Sequence, residues 1–343
     1  MPPDPRTFVI AEAGVNHNGD LALARKMVDV AADAGADAVK FQTFSVDRLV
    51  TRTAAPAEYQ QRTGAASQYD MLRRLELSPA AHEELLAHCG ERGIEFMSAA
   101  FDPESARFLA GLGVRRLKVP SGELTNLPLL EVIGRLGCQI IVSTGMAHMA
   151  EVETAVATLY RAGASDLVIL QCVSNYPADP AATNLRVMDS YARVFGVPVG
   201  LSDHTVGLTI AIAAVARGAS YLEKHFTLDR SLPGPDHQAS LEPAELAALV
   251  RAVRDVEVAL GDGVKQPTPS ELPVRAVARK SLVTVRDLAP GSVLRESDLA
   301  ILRPGTGLPP GRLAEVLGRR TARAIPAETP ITDDMLEPAG ESG

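Results

Sequence analysis

The chain alternates between short apolar runs and longer segments with the spacing of an amphipathic helix. Eight runs are rich in apolar and β-branched residues, which is typical of strands buried on both faces. These runs are FVIAEA (8–13), DAVKFQT (37–43), IEFMSA (94–99), RRLKV (115–119), CQIIVST (138–144), DLVILQC (166–172), PVGLS (198–202) and SYLEKHF (220–226). Segments with the apolar spacing of a helix occupy much of the chain between and after these runs. Several of them end in glycine, which commonly terminates a helix. The predicted helices span 21–35, 80–93, 126–137, 151–163, 207–218 and 243–261.

A strand that alternates with a helix eight times predicts an α/β fold, the (β/α)8 TIM barrel. The main competitor is a doubly wound open sheet. That fold normally has fewer strands and, in nucleotide binders, a glycine-rich turn after the first strand. The segment AEAGVNHNG (11–19) has its glycines at the wrong spacing for such a turn.

The composition changes after the last predicted helix. Residues 261–280 contain Pro267, Pro269 and Pro273 and are predicted to be extended. The remainder consists of short β-like pieces interrupted by proline and glycine, with no catalytic cluster of its own. We therefore expect a barrel domain at 1–262, a linker at 263–280 and a small β-rich domain at 281–343.

Composition and charge restrict the partners. The 343 residues are 46% apolar and carry a net charge of −8, which argues against nucleic acid or an anionic membrane as a partner. No apolar run approaches a membrane span and MPPDPRTF does not resemble a signal peptide, so we expect a cytoplasmic protein. The three cysteines, Cys89, Cys138 and Cys172, are far apart and are predicted to be reduced core residues.

Reactive side chains follow the predicted strands, where a barrel assembles its active site. Lys40 and Lys118 lie in apolar strands, where a buried ammonium group is destabilising unless it pairs with a carboxylate or an anionic ligand. They are therefore candidates to bind phosphate or carboxylate; the alternative is an ion pair with Glu12 or Glu123. The full set after the strands is Glu12, Asn16, His17, Lys40, Gln42, Lys118, Ser121, Glu123, Ser143, Thr144, Ser174, Asn175, Tyr176, Ser202, His204, His225 and Asp236.

Two histidines have matching settings. His204 follows the strand at 198–202, and His225 ends the strand-like run YLEKH. If both runs are parallel barrel strands, the two imidazoles lie close together and can share a metal ion. The alternative is that each histidine forms hydrogen bonds within its own loop.

Several motifs of the chain resemble, in order, those of the sialic acid synthase family, which includes N-acetylneuraminate and legionaminic acid synthases. The resemblance extends from about Phe8 to about Leu336. The motifs are AEAGVNHNGD (11–20), KFQT (40–43), KVPSGELTNLPLL (118–130), IVSTGM (141–146), SDHT (202–205), EKHFTLD (223–229) and GPDHQASLEP (234–243). One departure is SAAF (98–101), where the family commonly has a threonine directed toward phosphoenolpyruvate.

The resemblance implies a transferase that condenses phosphoenolpyruvate with an N-acetylmannosamine-type sugar, giving a nine-carbon 2-keto acid and phosphate with the help of Mn²⁺ or Mg²⁺. A metal held by His204 and His225 would make the sugar aldehyde electrophilic. Glu12 or Glu123 would orient or deprotonate the water that attacks carbon 2, and the sequence does not choose between them.

The resemblance also implies a role for each matched residue. Lys118 is grouped with Glu12 and Glu123 as catalytic. The phosphate and the carboxylate would be held by Lys40, Lys118, Ser121, Ser143 and Ser202. The sugar would face Gln42, Glu123, Tyr176 and Asp236. Ser174 or its neighbour Asn175 would supply a further substrate contact.

The C-terminal segment resembles the small antifreeze-like SAF domain that ends sialic acid synthases. The resemblance implies a domain-swapped homodimer in which this domain covers the barrel of the partner subunit. Arg303, in the sequence RPGTG, would then contact the sugar. The alternative is a solvent-facing arginine on a turn.

The segment 44–78 is longer than an ordinary connection between a strand and a helix. We expect it to form either a lid over the sugar site, with a short helix at QYDMLRRLE, or a subunit contact.

Other functions remain open from the sequence. The sugar could be the 2,4-diacetamido-2,4,6-trideoxymannose of legionaminic acid synthesis. A Schiff-base aldolase that uses Lys118 or Lys40 would need no metal. A carbohydrate-binding protein that has lost turnover is a further alternative.

Overall fold

The computed structural model of the protein describes residues 6–55 and 67–338. The chain divides into two compact units, a barrel unit at residues 1–262 and a C-terminal unit at residues 263–343. In the described part of the chain, no helix is both long and apolar enough to cross a membrane.

The barrel unit is a closed parallel barrel in which each strand pairs with the next along the chain and β8 pairs with β1. Strands β1 to β8 span Phe8–Gly14, Ala38–Thr43, Glu95–Ala100, Arg116–Val119, Gln139–Ser143, Leu167–Cys172, Val199–Asp203 and Tyr221–His225. Helices α1 to α10 span Leu21–Asp33, Val46–Leu49, Gln68–Arg73, Pro79–Arg92, Pro103–Gly111, Leu127–Gly134, Met149–Ala162, Val187–Phe195, Thr209–Ala216 and Pro243–Leu260. The predicted (β/α)8 barrel is confirmed, and the doubly wound open sheet is wrong.

Local sequence signals position the helices on the barrel. The side chains of Asp20, Ser78 and Asp102 cap α1, α4 and α5 by accepting hydrogen bonds from backbone N–H groups of the first turn. Helix α4 ends at Gly93, whose φ of 69° is accessible to glycine at little cost. These caps define where each helix begins or ends and therefore the length of the loop that joins it to a strand.

The strands are buried on both faces, which explains their nearly continuous apolar sequences. Residues that face outward, such as Val9, Val39 and Ile140, pack against the helices in one large core. Ile10, Met97 and other inward-facing residues fill the interior of the barrel. Farther along most strands the inward positions become polar, although Ala99 of β3 does not, so the functional groups lie at the carboxyl end of the barrel.

The segment 44–78 contains helices α2 and α3. The short helix predicted at QYDMLRRLE is present as α3. Residues 56–66 of the expected lid lie outside the described residues. Of the helices that the sequence analysis did not predict, α5 and α8 have only nine residues each.

The C-terminal unit contains helix α11 (Glu271–Ala278), the antiparallel strands β9 (Ser281–Thr284) and β10 (Leu299–Leu302), and helix α12 (Leu313–Val316). Its core is small and includes Leu282, Leu288 and Ile331. The segment 261–280, expected to be extended, contains α11 instead. Pro273 is the third residue of this helix, where the backbone N–H that proline lacks would have no partner within the helix.

Candidate active site at the carboxyl end of the barrel

A cavity of about 470 Å3 opens at the carboxyl end of the barrel. Most of the predicted site residues line it together. These residues are Glu12, Lys40, Gln42, Lys118, Ser121, Glu123, Ser143, Ser174, Tyr176, Ser202, His204, His225 and Asp236. Asn175 is exposed and does not line the cavity, and Arg303 is an exposed residue of the C-terminal unit.

Two lysines and two glutamates form a buried chain of charges at the bottom of the cavity. Lys40 Nζ lies 2.8 Å from Glu12 Oε2 and 3.6 Å from Glu223 Oε2. Glu223 Oε1 lies 3.1 Å from Lys118 Nζ. The ion pairs considered as the alternative are therefore present, but Lys118 pairs with Glu223 rather than with Glu123. An anionic ligand that reached the two ammonium groups would compete with the two carboxylates for them.

The burial of this cluster shifts its pKa values in opposite directions. Burial raises the pKa of Glu12 to about 7, even though Lys40 favours the charged form. Burial would also raise the pKa of Glu223, but Lys118 and Lys40 hold it below its usual value. The pKa of Lys118 is lowered by burial, against the attraction of Glu223. Glu12 is thus a carboxyl group that can exchange a proton near neutral pH.

Hydroxyl groups surround the lysines. Ser202 donates a hydrogen bond of 2.8 Å to Glu223, and Ser121 accepts one of 2.9 Å from the backbone N–H of Gly145. The hydroxyl of Ser143 is buried and has no hydrogen-bond partner in the described part of the chain. An unpartnered buried hydroxyl is costly, so a ligand oxygen or a water would stabilise it.

The two histidines lie next to each other, with ring centroids 5.2 Å apart. His204 Nδ1 is 2.7 Å from the carbonyl oxygen of Val173. Since a carbonyl only accepts, Nδ1 carries the proton, and the neutral ring has its lone pair on Nε2. His225 Nδ1 is buried without a hydrogen-bond partner among the described residues. Burial, together with the nearby His204, lowers the pKa of His225 well below its usual value and keeps the ring neutral.

The outer part of the cavity combines acidic, aromatic and apolar side chains. Burial raises the pKa of Asp236 to about 6. Glu123 accepts a hydrogen bond of 2.7 Å from Asn126, and burial raises its pKa as well. The ring of Tyr176 lies 4.2 Å from that of His204. An apolar portion of the wall is formed by Val15, Leu49, Val50, Met71, Leu72, Leu75 and Phe101.

Two residues of the cavity were not assigned to the site from the sequence. Glu223 lies in β8, where the strand alternation that places His225 inside also places Glu223 inside. Cys172 was interpreted as a core residue, but it lines the cavity with its sulfur 3.8 Å from His204 Nδ1. All three cysteines are free, as expected.

Comparison with protein families gives two matches. Residues 27–265 match the NeuB family, and residues 279–337 match the SAF domain. The first match covers most of the barrel, including every charged residue of the buried cluster except Glu12. The second confirms the SAF domain that the C-terminal sequence suggested.

Individual relatives agree with these matches. The N,N'-diacetyllegionaminic acid synthase of Legionella pneumophila is 48% identical over 96% of this chain and 94% of its own length. The N-acetylneuraminate-9-phosphate synthase of Homo sapiens is 36% identical over 97% of this chain and 94% of its own length. A crystal structure of N-acetylneuraminic acid synthetase from Leptospira borgpetersenii, in complex with citrate, is 35% identical, with a TM-score of 0.69 over 79% of this chain and 90% of that one.

Proposed function

The chain belongs to the NeuB family, and we propose that the cavity of its barrel is the site where phosphoenolpyruvate and an amino sugar are joined. The protein is a phosphoenolpyruvate-dependent synthase of the sialic acid type, a transferase that forms a carbon–carbon bond. One observation carries the assignment of the site. The cavity places two buried lysines and an unpartnered serine hydroxyl beside two adjacent histidines. The Schiff-base aldolase and the non-catalytic alternative gain no support.

Phosphoenolpyruvate would occupy the inner part of the cavity. Its phosphate and carboxylate are the anions that can replace the glutamates as partners of the Lys40 and Lys118 ammonium groups. The hydroxyl of Ser143 would donate to one of their oxygens, which removes the cost of an unpartnered polar group. Ser121 and Ser202 are further hydroxyl groups of the same wall.

His204 and His225 would hold a divalent metal ion. The two imidazoles are 5.2 Å apart, and an unpartnered buried nitrogen of His225 fits a metal ligand. The Val173 carbonyl fixes the His204 tautomer in the manner of groups that orient metal-bound histidines. The described residues contain no group of three or more metal-binding side chains, so other positions would be left to substrate oxygens or water. The metal would supply Lewis-acid activation of the sugar aldehyde.

Glu12 is the better candidate to deprotonate the attacking water. Its pKa of about 7 suits a base that works near neutral pH, and it lies beside Lys40 and Gln42. Glu123 is half-buried at the outer part of the cavity, where Asn126 holds its carboxylate. We therefore assign Glu123, together with Asp236 and Tyr176, to the sugar.

The sugar would be 2,4-diacetamido-2,4,6-trideoxymannose, the substrate of a legionaminic acid synthase. The identity of 48% to such a synthase, against 36% to the human N-acetylneuraminate-9-phosphate synthase, supports this choice. The apolar wall around Leu49, Met71 and Phe101 suits the methyl groups of a deoxy sugar with two acetamido groups.

The SAF domain would contribute Arg303 to the barrel of a partner subunit in a domain-swapped homodimer. The turn that carries Arg303 is well ordered by hydrogen bonds. Ser281 donates to the Pro304 carbonyl at 2.7 Å and accepts from the Gly307 N–H at 2.9 Å. The proposed domains are the barrel at 1–262, the linker at 263–280 and the SAF domain at 281–343. Mixed dimers of Lys118→Met and Arg303→Ala chains test the swap, since they would contain one site with both residues intact.

Phosphate release from phosphoenolpyruvate tests the assignment of the sugar and the metal. The enzyme is treated with EDTA and assayed with N-acetylmannosamine and with 2,4-diacetamido-2,4,6-trideoxymannose, before and after addition of Mn²⁺. We expect release with the diacetamido sugar and only after Mn²⁺ is restored. Faster release with N-acetylmannosamine would overturn the choice of sugar, and full release in EDTA would overturn the metal site.

A further inference from the structure

The residues that immediately precede the two histidines form an ion pair with each other. Asp203 precedes His204 at the end of β7, and Lys224 precedes His225 in β8. Their Cα atoms are direct partners in the parallel pairing of the two strands. Lys224 Nζ lies 2.7 Å from Asp203 Oδ2, and the side chains are only 1% and 0% exposed.

This pair lies outside the cavity. Side chains alternate along a strand, so Asp203 and Lys224 face away from the barrel interior while Ser202, Glu223 and His225 face it. Neither residue lines the cavity. Neither one can therefore contact the substrates directly, and the interactions of the charge cluster do not explain why the pair is present.

The same two side chains also hold the turn that follows β7. Asp203 Oδ1 accepts a hydrogen bond of 2.9 Å from the backbone N–H of Thr205, and Lys224 Nζ donates to the Thr205 carbonyl. Both contacts hold the backbone of Thr205, the residue that follows His204. The carbonyl of His204 itself accepts a hydrogen bond of 2.8 Å from the N–H of Ala178.

We propose that the buried Asp203–Lys224 pair is a clamp that sets the separation and orientation of His204 and His225. The inference rests on the proposed function, because it assumes that the two histidines share a metal ion. The pair links the strand of one histidine to the strand of the other, one residue before each imidazole. Asp203 and Lys224 are therefore positioning residues that act through the histidines.

A role in stability alone explains the pair less well. A buried ion pair is weak evidence for stability, because the cost of desolvating two charges can exceed their attraction. Its three contacts do, however, fix the conformation of the turn after β7 and the register of β7 against β8. Arg116 and Glu95 form a less buried pair that faces the barrel interior near the amino ends of β4 and β3, far along the strands from the histidines. That pair provides a matched control.

The test measures Mn²⁺ binding to the EDTA-treated full-length protein in the absence of both substrates, by electron paramagnetic resonance of the free ion. The variants are Asp203→Asn, Lys224→Met and the double variant Asp203→Asn/Lys224→Met, with Glu95→Gln as the control. We expect the first three to weaken Mn²⁺ binding about 10- to 100-fold, as loss of groups that orient metal ligands typically does. Glu95→Gln should leave the dissociation constant within about twofold of the wild-type value, since distant sites are nearly independent.

The double variant distinguishes a clamp from two separate effects. It also removes both buried charges together, so it decides the test if Lys224→Met does not fold. If the pair acts as one unit, the double variant binds Mn²⁺ no more weakly than the single variant that has the lower Mn²⁺ affinity. Additive losses, or wild-type affinity in folded variants, would overturn the clamp while the metal site stands. If the wild-type protein binds no Mn²⁺, the proposed metal site and the clamp both fail.

Discussion

Replacement of Glu223 by glutamine tests whether the buried lysines form an anion site. Glu223 lies between the two ammonium groups, 3.1 Å from Lys118 Nζ and 3.6 Å from Lys40 Nζ, and its side chain is 4% exposed. The substitution removes one negative charge and nearly preserves the shape of the side chain. Lys40 keeps Glu12 as a partner, but Lys118 keeps no ion pair within the described residues.

The expected loss of stability follows from these distances. At an effective dielectric constant of about 20, two unit charges 3.1 Å apart attract each other by about 5 kcal/mol. The desolvation of both ions offsets part of this attraction, and loss of one member of a buried pair typically costs about 3–5 kcal/mol. We therefore expect Glu223→Gln to lower the free energy of unfolding by about 3–5 kcal/mol in the absence of ligand.

Phosphoenolpyruvate should restore much of this loss, because its anionic groups replace the missing carboxylate. The variant should bind phosphoenolpyruvate at least about tenfold more tightly than the wild type, which corresponds to about 1.4 kcal/mol. Urea unfolding with and without a saturating concentration of phosphoenolpyruvate measures this difference. The ligand should increase the stability of Glu223→Gln more than that of the wild type.

Glu95→Gln is the control, because it breaks the ion pair with Arg116 near the opposite end of the strands. Phosphoenolpyruvate should stabilise this variant by the same amount as the wild type. If phosphoenolpyruvate stabilises Glu223→Gln no more than it stabilises the wild type, the lysines are not the anion site and the reasoning is wrong.

The remaining predictions concern four other residues. His204→Ala should abolish metal-dependent phosphate release while the thermal unfolding temperature changes little, since the ring lines a cavity rather than a core. The pH profile of kcat/KM should contain an ionisation near pH 7 that belongs to Glu12, and Glu12→Gln should remove it and lower kcat by about 10²- to 10⁴-fold. The pKa of Asp236 is raised to about 6, so the folded chain keeps a proton that the unfolded chain releases from about pH 4 upward. The stability due to Asp236 is therefore present at low pH, and about 3 kcal/mol of it is lost as the pH rises from about 4 to about 6. In urea unfolding, Asp236→Asn should not show this pH-dependent loss of stability. Arg303→Ala should mainly raise the Michaelis constant for the sugar.

Metal-dependent phosphate release at the wild-type rate in His204→Ala would contradict the first of these predictions. Arg323→Ala is the control for Arg303→Ala, because Arg323 pairs with Asp334 in the same unit, and equal effects of both would remove Arg303 from the site. An unchanged pH profile in Glu12→Gln would assign the ionisation to another group. Equal slopes of stability against pH in Asp236→Asn and the wild type would show that this carboxyl group does not hold a proton in the folded state.

The barrel was predictable because its strands are buried on both faces and its long helices have a strong apolar period. The nine-residue helices Pro103–Gly111 and Val187–Phe195 were not predicted, although the eight-residue helices Leu127–Gly134 and Thr209–Ala216 were, so length alone does not explain the omission. The helix Glu271–Ala278 was hidden by its proline, which the first turn of a helix tolerates.

The convergence of most of the predicted residues on one cavity was predictable from the sequence, but their contacts were not. The sequence indicated that Lys118 needs a partner, but that partner is Glu223, 105 residues away. Closure of the barrel brings the two together, and no local pattern encodes this pairing. The adjacent charges of Glu223 and Lys224 were a usable signal, since strand alternation must place one inside the barrel and the other outside. Cys172 gave no such signal, because a cysteine at the end of an apolar strand also fits a core position.

The most direct test of the central claim measures phosphate and 2-keto acid in the same reaction mixture. The enzyme is supplied with phosphoenolpyruvate, Mn²⁺ and 2,4-diacetamido-2,4,6-trideoxymannose, and the wild type is compared with Lys118→Met. The account predicts equal molar amounts of phosphate and 2-keto acid from the wild type, and loss of both products in the variant. Formation of the 2-keto acid without phosphate, or a wild-type rate in Lys118→Met, would contradict it.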